Sequence, residues 1–324
     1  MAVYTDVGNE ALEAFLQDYA IGSLVAFRGI AEGVENSNFQ LRTTDGDYIL
    51  TLYEKRVNAQ DLPWFLGLMQ HLAREGVTCP QPVADSQGHV LKTLAGRPAA
   101  ITTFLPGVWP RVVRLEHCRP LGRALAQLHV AGRSYKPERQ NALGPDAWFA
   151  LLESCGAGAN TVRAGLQDEL QNALAHILPF WPGREHNPLL PRGQIHADMF
   201  PDNVFFLDHA VSGVIDFYFA CTDFLAYDIA ICLNAWCFQV DGAFNITFAR
   251  HMMQGYEEIR PLEPEERKLM PVLARGAAMR FLLTRLYDWI NTPADALVTP
   301  KDPMDYLKRL RFHLETESAD AYGF

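Results

Sequence analysis

The 324-residue chain contains no apolar run approaching the ~20 residues of a membrane span. Its opening, Met-Ala-Val-Tyr-Thr-Asp, lacks the basic-then-apolar order of an export signal. It has no excess of positive charge: 28 Lys and Arg stand against 38 Asp and Glu, a net charge of −10, which argues against nucleic acid or an anionic membrane surface as the main partner. Its six cysteines (79, 118, 155, 221, 232 and 237) form no Cys-x-x-Cys pair. That argues against a zinc ribbon or a disulfide framework and fits thiols packed in a core, in a reducing cytoplasm. Internal repeats and low-complexity tracts are absent. What is present is ordinary globular composition, 49% hydrophobic and 20% charged, enough for one large domain or two lobes.

Apolar periodicity predicts a helix over 9–21 from Leu12, Phe15, Leu16 and Tyr19. Three strands follow, Ser23–Ile30, Phe39–Thr43 and Tyr48–Tyr53, the last two joined by the hairpin signal Asp45-Gly46. The turn between the first two holds Gly33, Asn36 and Asn38, whose backbone amides suit an anion cradle, although an ordinary hairpin turn would look alike. A helix is expected over Asp61–Glu75, closed by Gly76. A strand over Pro98–Leu105 ends in Pro106-Gly107, a natural hinge. Further helices are expected over Glu116–Gly132 and from Ala147 to about Leu178, broken near Gly156. Others are expected over Phe224–Gln239, from Pro264 toward Ile290, and over Tyr306–Leu314. His129, near the end of its helix, reads as a dipole or capping contact.

The chemistry concentrates in residues 194–217. Asp198 is followed by Asn203 five positions on, and by Asp216 thirteen beyond that. The apolar runs Val204–Leu207 and Val214–Ile215, separated by a break at Asp208–Gly213, suggest a hairpin that returns its ends to one place. Phosphoryl transfer needs a carboxylate to take the acceptor's proton and oxygen ligands for the metal on the phosphates. Asp198 suits the first role; Asn203 and Asp216 suit Mg²⁺. Each alone could be a turn former, but the whole pattern His196-x-Asp198-x4-Asn203 with a later apolar-Asp216-Phe217 is long. His196-x-Asp198 also holds two zinc-ligand types, yet no third and fourth follow at zinc-like spacing.

His-Ala-Asp-Met-Phe-Pro-Asp-Asn followed by Val-Ile-Asp-Phe resembles the signature of the aminoglycoside phosphotransferase and choline kinase superfamily. Within it, Gly213–Phe238 is similar to the bacterial homoserine kinases. The resemblance implies an α+β, two-lobed protein-kinase-like fold: a small antiparallel-sheet nucleotide lobe over 1–106, and a larger, mainly helical catalytic lobe over 107–324. It implies ATP and Mg²⁺ as cofactors and a small-molecule acceptor, L-homoserine, with choline, an aminoglycoside or an amino sugar as the alternative. Loss of Asp198 or Asp216 would instead mark a nucleotide-binding module without activity, and both are present.

The resemblance assigns Asp198 as base and His196 as loop support. It assigns Asp228 as the carboxylate that fixes the loop backbone, and Thr103, Phe104 and Leu105 as adenine contacts. The third strand departs from protein kinases by carrying Thr51 where a Lys would fall; Lys55, on the same strand face, could reach the phosphates instead. A zwitterionic acceptor needs an acid for its ammonium and a cation for its carboxylate. Asp223 and either Arg280 or Arg285 could meet that need, with Tyr218, Asn234 and Trp236 shaping the pocket.

Overall fold

The structure is a computed structural model that describes residues 5–30, 36–54, 58–293 and 299–324. Its contacts divide the chain into two compact units, Met1–Gly107 with Ser212–Tyr218, and Val108–Val211 with Phe219–Phe324.

The first unit holds α1 (Asn9–Leu16), β1 (Leu24–Gly29), β2 (Ser37–Thr43), β3 (Gly46–Leu52), α2 (Leu62–Arg74), β4 (Lys92–Leu94) and β5 (Arg97–Thr103). The strands form one antiparallel sheet in the order β1-β2-β3-β5-β4. Strand alternation sorts the residues by face: Phe39, Leu41, Leu50 and Leu52 join Leu12, Phe15 and Leu16 of α1 in one buried cluster. α1 ends five residues before the predicted limit. Tyr19 and Ile21 still bury their side chains, and Tyr19 packs on Phe15 with ring centroids 5.3 Å apart, so the apolar pattern outlasts the helix. β4 escaped the sequence reading because three residues carry too little periodicity to register.

The second unit begins with α3 (Leu115–Gly132), α4 (Pro145–Cys155), α5 (Gly158–Val162) and α6 (Leu166–Ile177), followed by β6 (Arg192–Ile195), β7 (Val204–Leu207) and the start of β8 (Ala210–Val214), whose residues from Ser212 on belong to the first unit. Then come β9 (Cys221–Phe224), α7 (Leu225–Trp236), α8 (Ile246–Glu257), α9 (Pro264–Lys268), α10 (Met270–Asn291) and α11 (Met304–Glu315). β7 and β8 make the expected hairpin, but its turn is only Asp208–His209. Both have positive φ, 48° and 66°, as a two-residue type I′ connection requires. Ser212 and Gly213, read as part of the break, lie in the strand. The helix expected to run on from Pro264 is broken at Leu269, because Pro271 has no N–H to carry the ladder through. α8 was missed, although Ala249, Met252, Met253 and Tyr256 have helical spacing and Asn245 caps it by accepting from Phe248 N–H.

α3 and α8 approach so closely that a Cβ on Gly122 would lie 1.9 Å from Met252 O, and one on Gly255 would lie 2.1 Å from Arg119 O. Glycine is required at both positions. All six cysteines are buried and free, consistent with the core-packing expectation.

His313 of α11 is fully buried between Tyr322 Oη, 2.9 Å from Nδ1, and Asn234 Oδ1, 3.2 Å from Nε2. Burial, with the charges of Arg275 and Arg309, pushes its pKa from 6.5 down to about 3. The unfolded chain therefore binds the extra proton between those values, and stability should fall as pH drops from about 6.5 toward 3. Urea unfolding across that window should show a shallower dependence in His313→Asn; an identical slope would contradict this.

Candidate active site

The sequence between β6 and β7 is positioned by a pairing too short to read from sequence. β6 and β9 are antiparallel, with Ile195 opposite Cys221 and Arg192 opposite Phe224. This ties the residue before His196 to the strand that leads into α7. The first turn of α7 then carries Asp228 back under the loop. Asp228 is fully buried; its Oδ2 accepts from His196 N–H at 2.7 Å and its Oδ1 from Ala197 N–H at 2.9 Å.

Ala197 has φ +61°, a left-handed conformation that costs a non-glycine residue roughly 1–2 kcal/mol. Its other side is held as well, since Arg280 Nη1 donates to Ala197 O. The same residue is thus gripped by a carboxylate through its N–H and by a guanidinium through its C=O. One turn on, Trp236 Nε1 donates to Met199 O at 2.8 Å.

Asp198 stands between these anchors and remains partly exposed. Its N–H donates to His196 Nδ1 at 3.2 Å, and His196 is itself buried. Asn203 Nδ2 donates to Asp198 O at 2.8 Å and to Asp198 Oδ2 at 3.1 Å. The loop therefore fixes the carboxylate of Asp198 through its neighbour's amide. That amide's oxygen, Oδ1, is left as the acceptor on the far side, a hard oxygen of the kind Mg²⁺ takes.

Asp228 also accepts from His129 Nε2 at 3.1 Å. His129 Nδ1 meets Tyr256 Oη at 2.7 Å, Tyr256 Oη accepts from Arg260 Nη1 at 3.0 Å, and Arg260 Nη2 meets both Glu266 oxygens at 2.9 Å. His129 was expected to make a dipole or capping contact; it is instead a fully buried link in this chain, on the helix that Gly122 brings against α8. Burial pushes the Asp228 pKa up, but the hydrogen bond and charge of His129 and the donation from His196 outweigh it and hold the group below its ordinary value. Burial lowers the His129 pKa against the hydrogen bond and charge of Asp228.

Four residues expected around the acceptor have partners inside the protein. Asn234 donates to Ala230 O and Ala274 O and meets His313, which knits α7, α10 and α11. Trp236 supports Met199, and Arg280, only 2% exposed, supports Ala197. Asp223 is buried with Oδ2 accepting from Asn141 Nδ2 and Oδ1 from Phe224 N–H, both at 2.8 Å; burial raises its pKa against those bonds. Arg285 remains half-buried, its guanidinium over the Tyr306 ring.

In the first unit, Asp216 has φ +64° just beyond β8. Tyr218 Oη lies 2.9 Å from Tyr53 Oη. Thr51 Oγ1 donates to Asn38 Oδ1 at 2.8 Å across the β2–β3 register, and Asn36 Oδ1 accepts from Glu54 N–H. Thr103 ends β5 with its Oγ1 accepting from Gln81 N–H, while Phe104 is exposed. Leu105 fills the place of a Gly213 Cβ, its Cδ1 2.6 Å from that point. Gly33 and Lys55 lie outside the described residues.

The sequence profile of the phosphotransferase enzyme family matches residues 26–262. The chain belongs to this family. Among relatives of the phosphotransferase, the homoserine kinase of Gluconacetobacter diazotrophicus is 66% identical over 323 residues, covering 100% of both chains. That of Acidiphilium cryptum is 64% identical over the same span and coverage. An amicoumacin kinase solved with AMP-PNP and Ca²⁺ superposes with a TM-score of 0.67 at 15% identity, covering 95% of this chain and 92% of its own. Choline kinase from Cryptosporidium parvum gives 0.65 at 13% identity, covering 95% of each. These structures establish the α+β, protein-kinase-like fold. The phosphotransferase is a kinase, and its full-length relatives act under the name homoserine kinase.

Asp228→Asn keeps the shape but removes the charge that two loop N–H groups and His129 address. The wild type should be more stable at neutral pH, because a depressed carboxylate pKa contributes stability above its unfolded value. The gap should narrow as pH falls below about 3.8, through the lowered folded value. Thermal unfolding at pH 7 and at pH 3 checks this; a gap that widens in acid would contradict it.

Proposed function

We propose that this phosphotransferase transfers the γ-phosphoryl group of MgATP to the hydroxyl of L-homoserine, forming O-phospho-L-homoserine for threonine biosynthesis in the cytoplasm. The observation that carries the reading is the loop geometry, a partly exposed Asp198 fixed by Asn203 and by the buried Asp228–Ala197 contact. It occurs in a chain whose homoserine kinase relatives match from end to end.

Asp198 orients the acceptor hydroxyl and takes its proton as the oxygen attacks the γ-phosphorus and the bond to the β-phosphate oxygen breaks. His196, buried with its Nδ1 accepting from the Asp198 N–H, holds the loop and does not exchange protons with the substrate. Asn203 and Asp216 offer an amide oxygen and a carboxylate, hard donors suited to Mg²⁺. When bound, the ion supplies neutralisation of phosphate charge. Residues 1–106 serve as the nucleotide lobe and 107–324 as the catalytic lobe. Asn36, Asn38 and Thr51 shape the phosphate-facing turn and strand, with Gly33 and Lys55 assigned by sequence alone. Thr103–Leu105 provide the adenine-side segment, and Tyr218 and Arg285 face the acceptor.

Asp198→Ala should lower kcat by roughly 10²–10⁴ with a smaller change in ATP binding, the usual worth of a positioned base. Near-wild-type turnover would remove Asp198 from that role. Asp216→Ala should abolish Mg²⁺-dependent turnover. In an ADP-release assay at equal acceptor concentrations, L-homoserine should exceed serine and threonine, and choline and kanamycin-type amines should be inactive. A preference for choline or an aminoglycoside would sink the acceptor assignment and leave the kinase assignment intact.

A further inference from the structure

Beyond the loop, one cluster has unused binding capacity. Arg285 of α10 and Arg309 of α11 place their guanidinium carbons 4.4 and 4.5 Å from the centroid of one ring, that of Tyr306. Tyr306 is fully buried, and its hydroxyl finds no hydrogen-bond partner in good geometry, with Arg309 the charge that bears on it most. A buried hydroxyl left unpaired costs about 1–3 kcal/mol, so its retention calls for a partner.

The two arginines donate to backbone carbonyls instead of carboxylates: Arg285 Nη1 reaches Asp302 O at 3.4 Å and Arg309 Nη1 reaches Asn234 O at 2.6 Å. Two like charges held against one ring repel unless an anion joins them. Asp202 and Asp305 lie within electrostatic range of Arg285, but burial and the charge of Arg309 still leave its pKa lowered. Lys301 takes up Asp202 at 3.7 Å.

The cluster also lies beside the loop. Phe200, two residues after Asp198, packs on Phe281 with centroids 4.8 Å apart, and Phe281 packs on Tyr306 at 5.4 Å. Besides burial and the two arginines, the charge of Asp198 is felt at the Tyr306 hydroxyl.

We infer that Arg285, Arg309 and the Tyr306 hydroxyl form the subsite for the α-carboxylate of the acceptor, and so decide for an amino acid over an amino alcohol. This rests on the homoserine reading. Two guanidinium forks and a free hydroxyl match a carboxylate's lone pairs. An acceptor lacking the carboxylate leaves the two half-buried guanidinium groups facing each other across the ring without an anion, which is how a polar site rejects an analogue. The Arg280 of the earlier expectation is replaced here by Arg309.

The test pairs L-homoserine with 3-amino-1-propanol, the same molecule without its carboxyl group. Wild type should prefer homoserine strongly by kcat/KM. Arg309→Met and Arg285→Met should each lower kcat/KM for homoserine by about 10- to 100-fold, the worth of a hydrogen bond to a charged group, and change that for 3-amino-1-propanol by less than about threefold. Tyr306→Phe removes only the hydroxyl. Its melting temperature should hold or rise while its homoserine kcat/KM falls, a combination that a structural role cannot produce. A homoserine preference that survives in all three variants, or an equal loss on both acceptors, overturns the subsite alone. Wild-type preference for 3-amino-1-propanol overturns the homoserine reading and the subsite together.

Discussion

The loop that carries Asp198 depends on one buried carboxylate. Asp228 sits where burial alone would favour its neutral form, and it is kept ionised by three donors: the N–H groups of His196 and Ala197 and the ring of His129. A charge so placed is stable only if every donor stays in register. The consequence runs outward in both directions. Toward the surface, Ala197 is held in a left-handed turn that sets the direction of Asp198. Toward the interior, His129, Tyr256, Arg260 and Glu266 continue the network to α9, and the glycine contacts of α3 and α8 let its members meet. Arg280 closes the arrangement by donating to the carbonyl of Ala197, the residue whose N–H Asp228 holds.

Much of this was legible in sequence because it lies in a long local motif. Asp198, Asn203 and the hairpin after them are separated by few residues, and Asp228 stood out as an acid inside an apolar helix. The partners of Asp228 were not legible. His129 is 99 residues away in sequence, and nothing in Leu128-His129 distinguishes a buried donor from a capping side chain. The strands β6 and β9 have four residues each, too few for a period to emerge, and they bring the loop over α7.

The acceptor-side residues are the least legible part of the site for a related reason. Asn234, Trp236, Asp223 and Arg280 were chosen for nearness to the motif, and nearness in a fold of packed helices first serves the loop's own support. Each makes at least one hydrogen bond to a backbone group or to Asn141. The residues proposed for the acceptor's carboxylate, Tyr306 and Arg309, lie more than a hundred positions beyond Asp198, where sequence proximity gives no hint. In the first unit the departure at Thr51 is matched by a polar pairing with Asn38, so the strand position that carries a Lys in protein kinases is occupied by a hydrogen bond within the sheet.

The central claim is that Asp228 acts on catalysis only through the orientation of Asp198. A double-mutant cycle on kcat with Asp198→Asn, Asp228→Asn and the pair, measured well below the melting temperature of the weakest variant, addresses it directly. The account predicts strong non-additivity: with Asp198 already lost, removing the Asp228 charge should slow turnover little further. Losses that simply multiply in the double variant would show two independent contributions and contradict it.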